Sequence, residues 1–200
     1  FAIECFENEP NLALFGVQLI DKNNNNVFSF GVSDIFNLPS ALKNQWRIKR
    51  NKFKDKGMFI SGADLFVRRS VLEQAGKFDE NIFMYLEETD LIRRIKQHCD
   101  VKQVAFFNCK RIIHLGGATD ESCGDDKALR QAGNYEQSVR YYAEKYGRNY
   151  EKILRYRIKT TNIRKIIYGL KMDKEQVRLQ KLLLTFYKDE LRKIKEQNGK

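Results

Sequence analysis

The sequence predicts an α/β domain over residues 1–126, followed by a basic, all-helical extension over residues 127–200. Three observations carry this reading. Short apolar runs alternate with short amphipathic segments through the first part, the pattern of mixed strands and helices. From Lys127 onward, apolar residues recur at spacings of three and four, as in Val177, Leu184 and Tyr187. Charge also divides the chain. Residues 1–129 hold 18 Lys/Arg and 18 Asp/Glu, whereas residues 130–200 hold 19 against 8, so the whole net charge of +11 lies in the second part.

Taken in order, residues 1–9 read as the end of a helix, stopped by Pro10 and Asn11. "NLALFGVQLI" is a continuous apolar run of strand length, "DKNNNN" a turn, and "VFSFG" a resumed strand. Residues 34–57 are polar, basic and aperiodic, which predicts a long loop of the kind that serves as a lid or binding segment. "MFISGADLFVRR" predicts a strand broken at Ser61-Gly62-Ala63, where small residues admit a close approach. In "SVLEQAG", Ser70 is an N-cap, Glu73 its capping-box partner and Gly76 the stop. A longer helix is expected from Tyr85 to His98, then strands near 101–107 and 111–114. Three helices follow, punctuated by Gly147 and Gly169.

Composition excludes several classes. At 42% hydrophobic and 12% aromatic the chain is outside the disordered range. No apolar run approaches the roughly 20 residues that span a bilayer, and the acidic start "FAIECFENEP" is no secretory signal. Cys5, Cys99, Cys109 and Cys123 form no C-x-x-C pair and no zinc spacing, which predicts reduced thiols in a cytoplasmic setting.

The chemistry concentrates in "FDENIFMYLEETDLIRRIK", where Glu87, Glu88 and Asp90 abut Leu91, Ile92 and Ile95. At about 100° per residue, Leu91, Ile95 and Ile92 fall roughly 40°, 80° and 140° from Glu87, and Glu88 falls near 100°, inside that apolar arc. Asp90 and Arg94 share another side, an i,i+4 pair. A first-turn position favours all three acids through the helix dipole. Only Glu88 combines a helix N-terminus with a core-facing direction, the setting that raises a carboxylate's basicity and suits a general base. His114, in "RIIHLGGAT", is either a structural histidine ending a strand or, beside Gly116-Gly117, a contact for a metal-bound diphosphate.

"SGADLFVRRSVLEQAGKFDENIFMYLEETDLIRRIK", followed by "HLGGAT", resembles the second half of an inverting glycosyltransferase of family 2. More narrowly, it is similar to the bacterial rhamnosyltransferase-like members that build capsule, O-antigen and other cell-surface polysaccharides. The resemblance spans about residues 1–120 and rests on Gly62, Arg68-Arg69, Gly76, Phe78-Asp79-Glu80, Phe83, Tyr85, Glu87-Glu88, Asp90-Leu91 and Arg94. It implies the second, acceptor-side half of a GT-A (nucleotide-diphospho-sugar transferase) fold. It also implies transfer of a single sugar, rhamnose or a similar hexose, from a nucleotide-diphosphate donor to a glycan or lipid-linked acceptor.

Glu88 then corresponds to the base, although the family's usual residue is Asp. Glu87 completes the acid pair and Asp90 shapes the acceptor site. Ser61, Gly62, Ala63, Asp64, Tyr85 and Arg94 would contact substrate, and His114 the Mg²⁺ or Mn²⁺ ion. The family's Asp-x-Asp metal motif occurs nowhere in the chain. The donor-binding half and the principal metal ligands are therefore expected upstream, and the isolated chain is expected to be inactive. The basic extension over residues 130–200 suits contact with an anionic membrane at the inner face of the plasma membrane. Self-association, or a solvated bundle, would explain the same charge. Nucleic acid is a weaker match, because no recognised binding module accompanies the basic residues. The alternative to an enzyme is a glycan-binding or membrane-surface module that retains the fold without the chemistry.

Overall fold

The structure, a computed structural model, describes residues 1–33, 44, 46–115 and 124–198. The protein is a mixed α/β chain that divides into two compact units, Phe1–Glu80 with Leu86–Thr119 and Asn81–Tyr85 with Asp120–Lys200.

The first unit is built on β1 (Leu12–Ile20), whose nine residues are all buried. A strand buried at every position must be covered on both faces. One face carries α1 (Ala2–Asn8), where Phe6 and Phe15 approach to 5.2 Å between ring centroids. Phe66 stacks on Phe15 at 4.8 Å and Phe107 meets its edge at 5.2 Å. The other face packs Leu14 with Leu91, Ile92 and Ile95 of α3 (Glu87–His98). Neighbouring strands complete a sheet of order β4–β1–β5. β4 (Phe66–Val67) is antiparallel to β1, and β5 (Gln103–Ile113) is parallel to it. A parallel neighbour requires a crossover connection, which α3 supplies. A two-stranded antiparallel ladder joins β2 (Phe30–Val32) to β3 (Met58–Ile60).

Several expectations change here. β5 is one strand, but its pairing with β1 jumps from Phe107 to Arg111, so the two expected strands are two stretches of one ladder interrupted by an irregularity. Within the expected loop, residues 46–49 are helical, and the Arg50 guanidinium lies 3.9 Å above the Trp46 ring; residues 34–43 and Gln45 lie outside the described residues. Ser70 caps nothing. The short helix α2 (Arg69–Gln74) starts two residues earlier than that cap implies, with Arg68 at the N-cap position, and Glu73 accepts from Arg69 Nε at 2.9 Å instead of closing a capping box. Gly76 does end α2, at φ +83°, a left-handed conformation that glycine adopts without a Cβ clash. Cys5, Cys99 and Cys109 are free thiols; Cys123 lies outside the described residues.

The second unit is helical: α4 (Gly124–Lys145), α5 (Tyr150–Leu170) and α6 (Lys174–Asn198). α4 begins before the expected boundary at Lys127. The Asn149 side chain caps α5 by accepting from Lys152 N–H at 2.9 Å. Ala132, Val139, Tyr142, Ala143, Leu154, Leu184 and Tyr187 are buried, with Glu136 among them. Tyr85 belongs to this unit, its ring edge-on to Tyr135 at 5.6 Å. Among the described residues, no helix is long and apolar enough to cross a membrane.

Candidate active site

The acids at the start of α3 are set by an unusual entry into the helix. Tyr85 and Leu86 both have left-handed backbone, φ 67° and 70°. Such residues cost on the order of 1 kcal/mol each and persist only where their surroundings hold them. Leu86 is buried, and its carbonyl accepts from Asp90 N–H at 2.8 Å. The helix therefore starts at Glu87 rather than at Tyr85, which puts both glutamates in its first turn.

Opposite them runs the turn after β3. Ser61 is half-buried, Gly62 and Ala63 are exposed, and Asp64 is 2% exposed, so four residues descend from surface to interior. Ser61 N–H is anchored on Ser29 carbonyl at 2.9 Å. Gly62 N–H donates to Glu88 Oε1 at 2.6 Å, a charge-assisted bond that ties the two sequence segments together. A side chain at Gly62 would place its Cβ 2.7 Å from that oxygen, closer than such atoms approach, so the contact demands glycine.

Asp64 lies beneath. Its Oδ2 accepts from Val17 N–H at 2.8 Å, a donor left free because β4 pairs only with Leu14 and Phe15. Its Oδ1 is buried without a partner. Burial raises the Asp64 pKa to about 7, and the neighbouring Glu88 charge adds to the rise. Burial also pushes the Glu88 carboxyl up, reinforced by Glu87 and opposed by the Gly62 N–H. Glu87 is raised by burial as well, and its Oε2 is unpartnered. Among the described residues, no cation pairs with Asp64, Glu87 or Glu88. Three carboxyls crowded without a counter-ion hold protons that isolated carboxyls would release, and Glu88 meets the surface beside exposed backbone. Such a group can accept a proton from a bound hydroxyl.

Other expected site residues go elsewhere. Asp90, on the side of the helix it shares with Arg94, forms the expected i,i+4 pair and is 0% exposed, more deeply buried than Glu88. The wheel set Asp90 apart from the apolar arc, and that side of α3 is covered as well. Asp90 Oδ2 accepts from Arg94 Nε at 2.7 Å. Arg94 also donates to the Ala75 carbonyl and, at 2.6 Å, to the Lys77 carbonyl. The pair thus clasps the turn after α2, and Arg94 is occupied in the fold. Asp64 is too buried to touch a ligand at the surface, which corrects its expected substrate contact; it feels the Glu88 charge from within the fold. Tyr85 packs with Tyr135 in the helical unit. His114 is exposed, its N–H bonded to Ile20 carbonyl at 2.8 Å, and Gly116-Gly117 lie outside the described residues. Among the described residues, no group of three His, Cys, Asp or Glu side chains is disposed to hold a metal ion.

Gly16 was missed by the sequence reading. A Cβ there would lie 2.3 Å from Ile60 Cγ2 and 2.7 Å from Asp64 Oδ2, so this glycine makes room for the buried acid. The available signal was a lone glycine inside an otherwise apolar strand. No family model, curated protein or solved structure matches this chain.

Proposed function

We propose that the chain is the acceptor-side half of an inverting, family 2-like glycosyltransferase of GT-A type, with Glu88 as its general base. The observation that carries the reading is the Glu88–Gly62 hydrogen bond, which brings together the two segments the resemblance rests on and leaves Glu88 beside an exposed small-residue turn.

In the proposed step, Glu88 accepts the proton of an acceptor hydroxyl. The hydroxyl oxygen forms a bond to the anomeric carbon as that carbon's bond to the donor phosphate breaks. The nucleoside diphosphate leaves with the bonding pair, and the anomeric centre inverts. Gly62 N–H orients the carboxylate, while burial and the neighbouring Glu87 charge keep it basic. The described residues do not by themselves fit a metal site, so no part of this step is routed through one. Ser61 and Ala63 would line the acceptor side.

The test supplies the donor half. The full-length gene product is incubated with a panel of nucleotide-diphosphate sugars and lipid-linked acceptors, and nucleoside diphosphate release is followed. Wild type should turn over at least one donor, and Glu88→Gln should lose about 10²–10⁴-fold in rate while still binding it. Unchanged turnover in Glu88→Gln, or no turnover with any donor by wild type, would overturn the proposal.

A further inference from the structure

Helix α5 is apolar on two opposite faces. Leu154, Arg157 and Thr161 fall within one arc, and Leu154 and Thr161 are buried, so this is the face turned into the helical unit. Ile163, Ile166, Ile167 and Leu170 follow the i, i+3, i+4, i+7 pattern, an arc roughly 100° wide on the opposite side. They are 47%, 59%, 44% and 81% exposed, and Met172, in the turn beyond, is 85% exposed. Single exposed aliphatics are ordinary; five running along one face and over a helix end form a contiguous apolar patch that needs a partner.

The charges around that patch specify the partner. Residues 152–172 contain seven Lys/Arg and no Asp/Glu. Arg157 is committed to Glu136 and Arg155 to Glu151. Lys159, Arg164 and Lys171 flank the apolar stripe, and none has an ion pair among the described residues. Beside Met172, a recess of about 430 Å³ at the turn into α6 is lined by Lys174 and Lys181 together with Asp173 and Arg178, the last paired with Asp125, so two of its cations outnumber its one acid even without Arg178. A second copy of this chain would bring like charges face to face. A nucleic acid would leave the aliphatic stripe uncovered. An anionic bilayer satisfies both, since aliphatic side chains enter the acyl boundary while the flanking cations meet lipid phosphates. The helix would lie in the plane of the surface, because it cannot span the membrane.

We propose that the outer face of α5 and the turn at Leu170-Lys171-Met172 form a docking surface for an anionic lipid membrane. This proposal is independent of the catalytic one: it uses residues of the helical unit alone.

The 200-residue chain is sedimented with vesicles of pure phosphatidylcholine and with an equal mixture of phosphatidylcholine and phosphatidylglycerol, at low and high salt. Binding to the anionic vesicles should exceed binding to the neutral ones by about tenfold or more, and should weaken in high salt. The double variant Ile166→Asp/Leu170→Asp should lose about tenfold or more of that binding. Its circular dichroism and denaturation midpoint should match wild type, because both side chains are already in water. Arg164→Gln/Lys171→Gln should lower binding to anionic vesicles and reduce its salt sensitivity. The proposal is overturned by absence of binding, by equal binding to both vesicle types, or by full binding of the Asp variant. It is equally overturned if wild type forms a dimer that the Asp variant abolishes, since the patch would then serve a second copy.

Discussion

Each unit of this protein buries a glutamate, and the two are treated in opposite ways. In the helical unit Glu136 is 3% exposed, with Arg157 Nη1 2.8 Å from Oε1 and Tyr150 hydroxyl donating to Oε2 at 3.0 Å. Burial pushes the Glu136 carboxyl up against the pull of that guanidinium. Burial likewise opposes the Arg157 charge, but Glu136, Tyr135 and Tyr187 outweigh it and raise its pKa. In the α/β unit, no cation among the described residues pairs with Asp64, Glu87 or Glu88. A carboxylate beside a cation is a fastener, because its charge is matched by a fixed partner. Carboxyls pressed together without a cation are raised in proton affinity, and one that reaches the surface can exchange its proton with a bound group. The difference lies in the neighbours, and it separates a structural acid from a chemically useful one.

The largest test of that contrast is removal of the fastener's cation. Arg157→Leu leaves Glu136 buried and unmatched, and should lower unfolding stability by about 3–5 kcal/mol in urea at neutral pH. Arg157→Leu with Glu136→Leu should recover most of the loss. If single and double variants were equally unstable, Arg157 would matter for its packing and the contrast would fail.

Second comes the pH dependence of the acid pocket. Asp64 is raised from 3.8 to about 7 in the folded protein. As pH rises past the ordinary carboxyl value, the unfolded chain gives up its proton while the folded one holds it. Stability from this group is therefore fully present at low pH, is lost between about pH 4 and 7, and stays lost above. The loss is up to about 4 kcal/mol. Asp64→Asn keeps an acceptor for Val17 N–H and should flatten that part of the profile, leaving the variant the more stable protein at pH 7.5. A parallel profile in the two proteins would show that Asp64 is not the group titrating.

The smallest effect probes the link between turn and helix. In Gly62→Ala the new Cβ displaces Glu88 Oε1, the free end of a side chain that can swing away, so stability should fall by only about 1 kcal/mol. The Glu88 carboxyl, followed by carbon-13 NMR, should titrate at still higher pH for want of the Gly62 donor. An unchanged midpoint would mean that the hydrogen bond does not hold Glu88.

Much of this was legible in the chain. The short, mostly apolar run of β1 announced a buried strand, and Gly76 announced the end of α2, because both follow from local stereochemistry and burial. The Asp90–Arg94 pair was legible from its i,i+4 spacing, but the depth of Asp90 was not. A helical wheel built on one apolar arc does not see the turn that covers the other side of α3. Tyr85 was expected inside the helix because nothing in its identity signals a left-handed backbone. Glu136 could have been noticed: it shares a face with Ala132, Val139 and Ala143, where a carboxylate needs a partner. Which partner, Arg157, is twenty-one positions away and invisible to any local pattern.

By itself the sequence determined the mixed first part and helical second part, the basic charge of the latter, and the placement of Glu87 and Glu88 at a helix start. These depend on periodicity, composition and neighbours within a turn or two. The tertiary structure alone decided which acid meets which group. It set Asp64 beneath Glu88, joined Glu88 to Gly62 across 26 positions, and gave Arg94 to the turn after α2. It also left one apolar face of α5 open. A carboxyl's proton affinity is set by the charge and water within a few ångströms of it, and the residues supplying both come from distant parts of the chain.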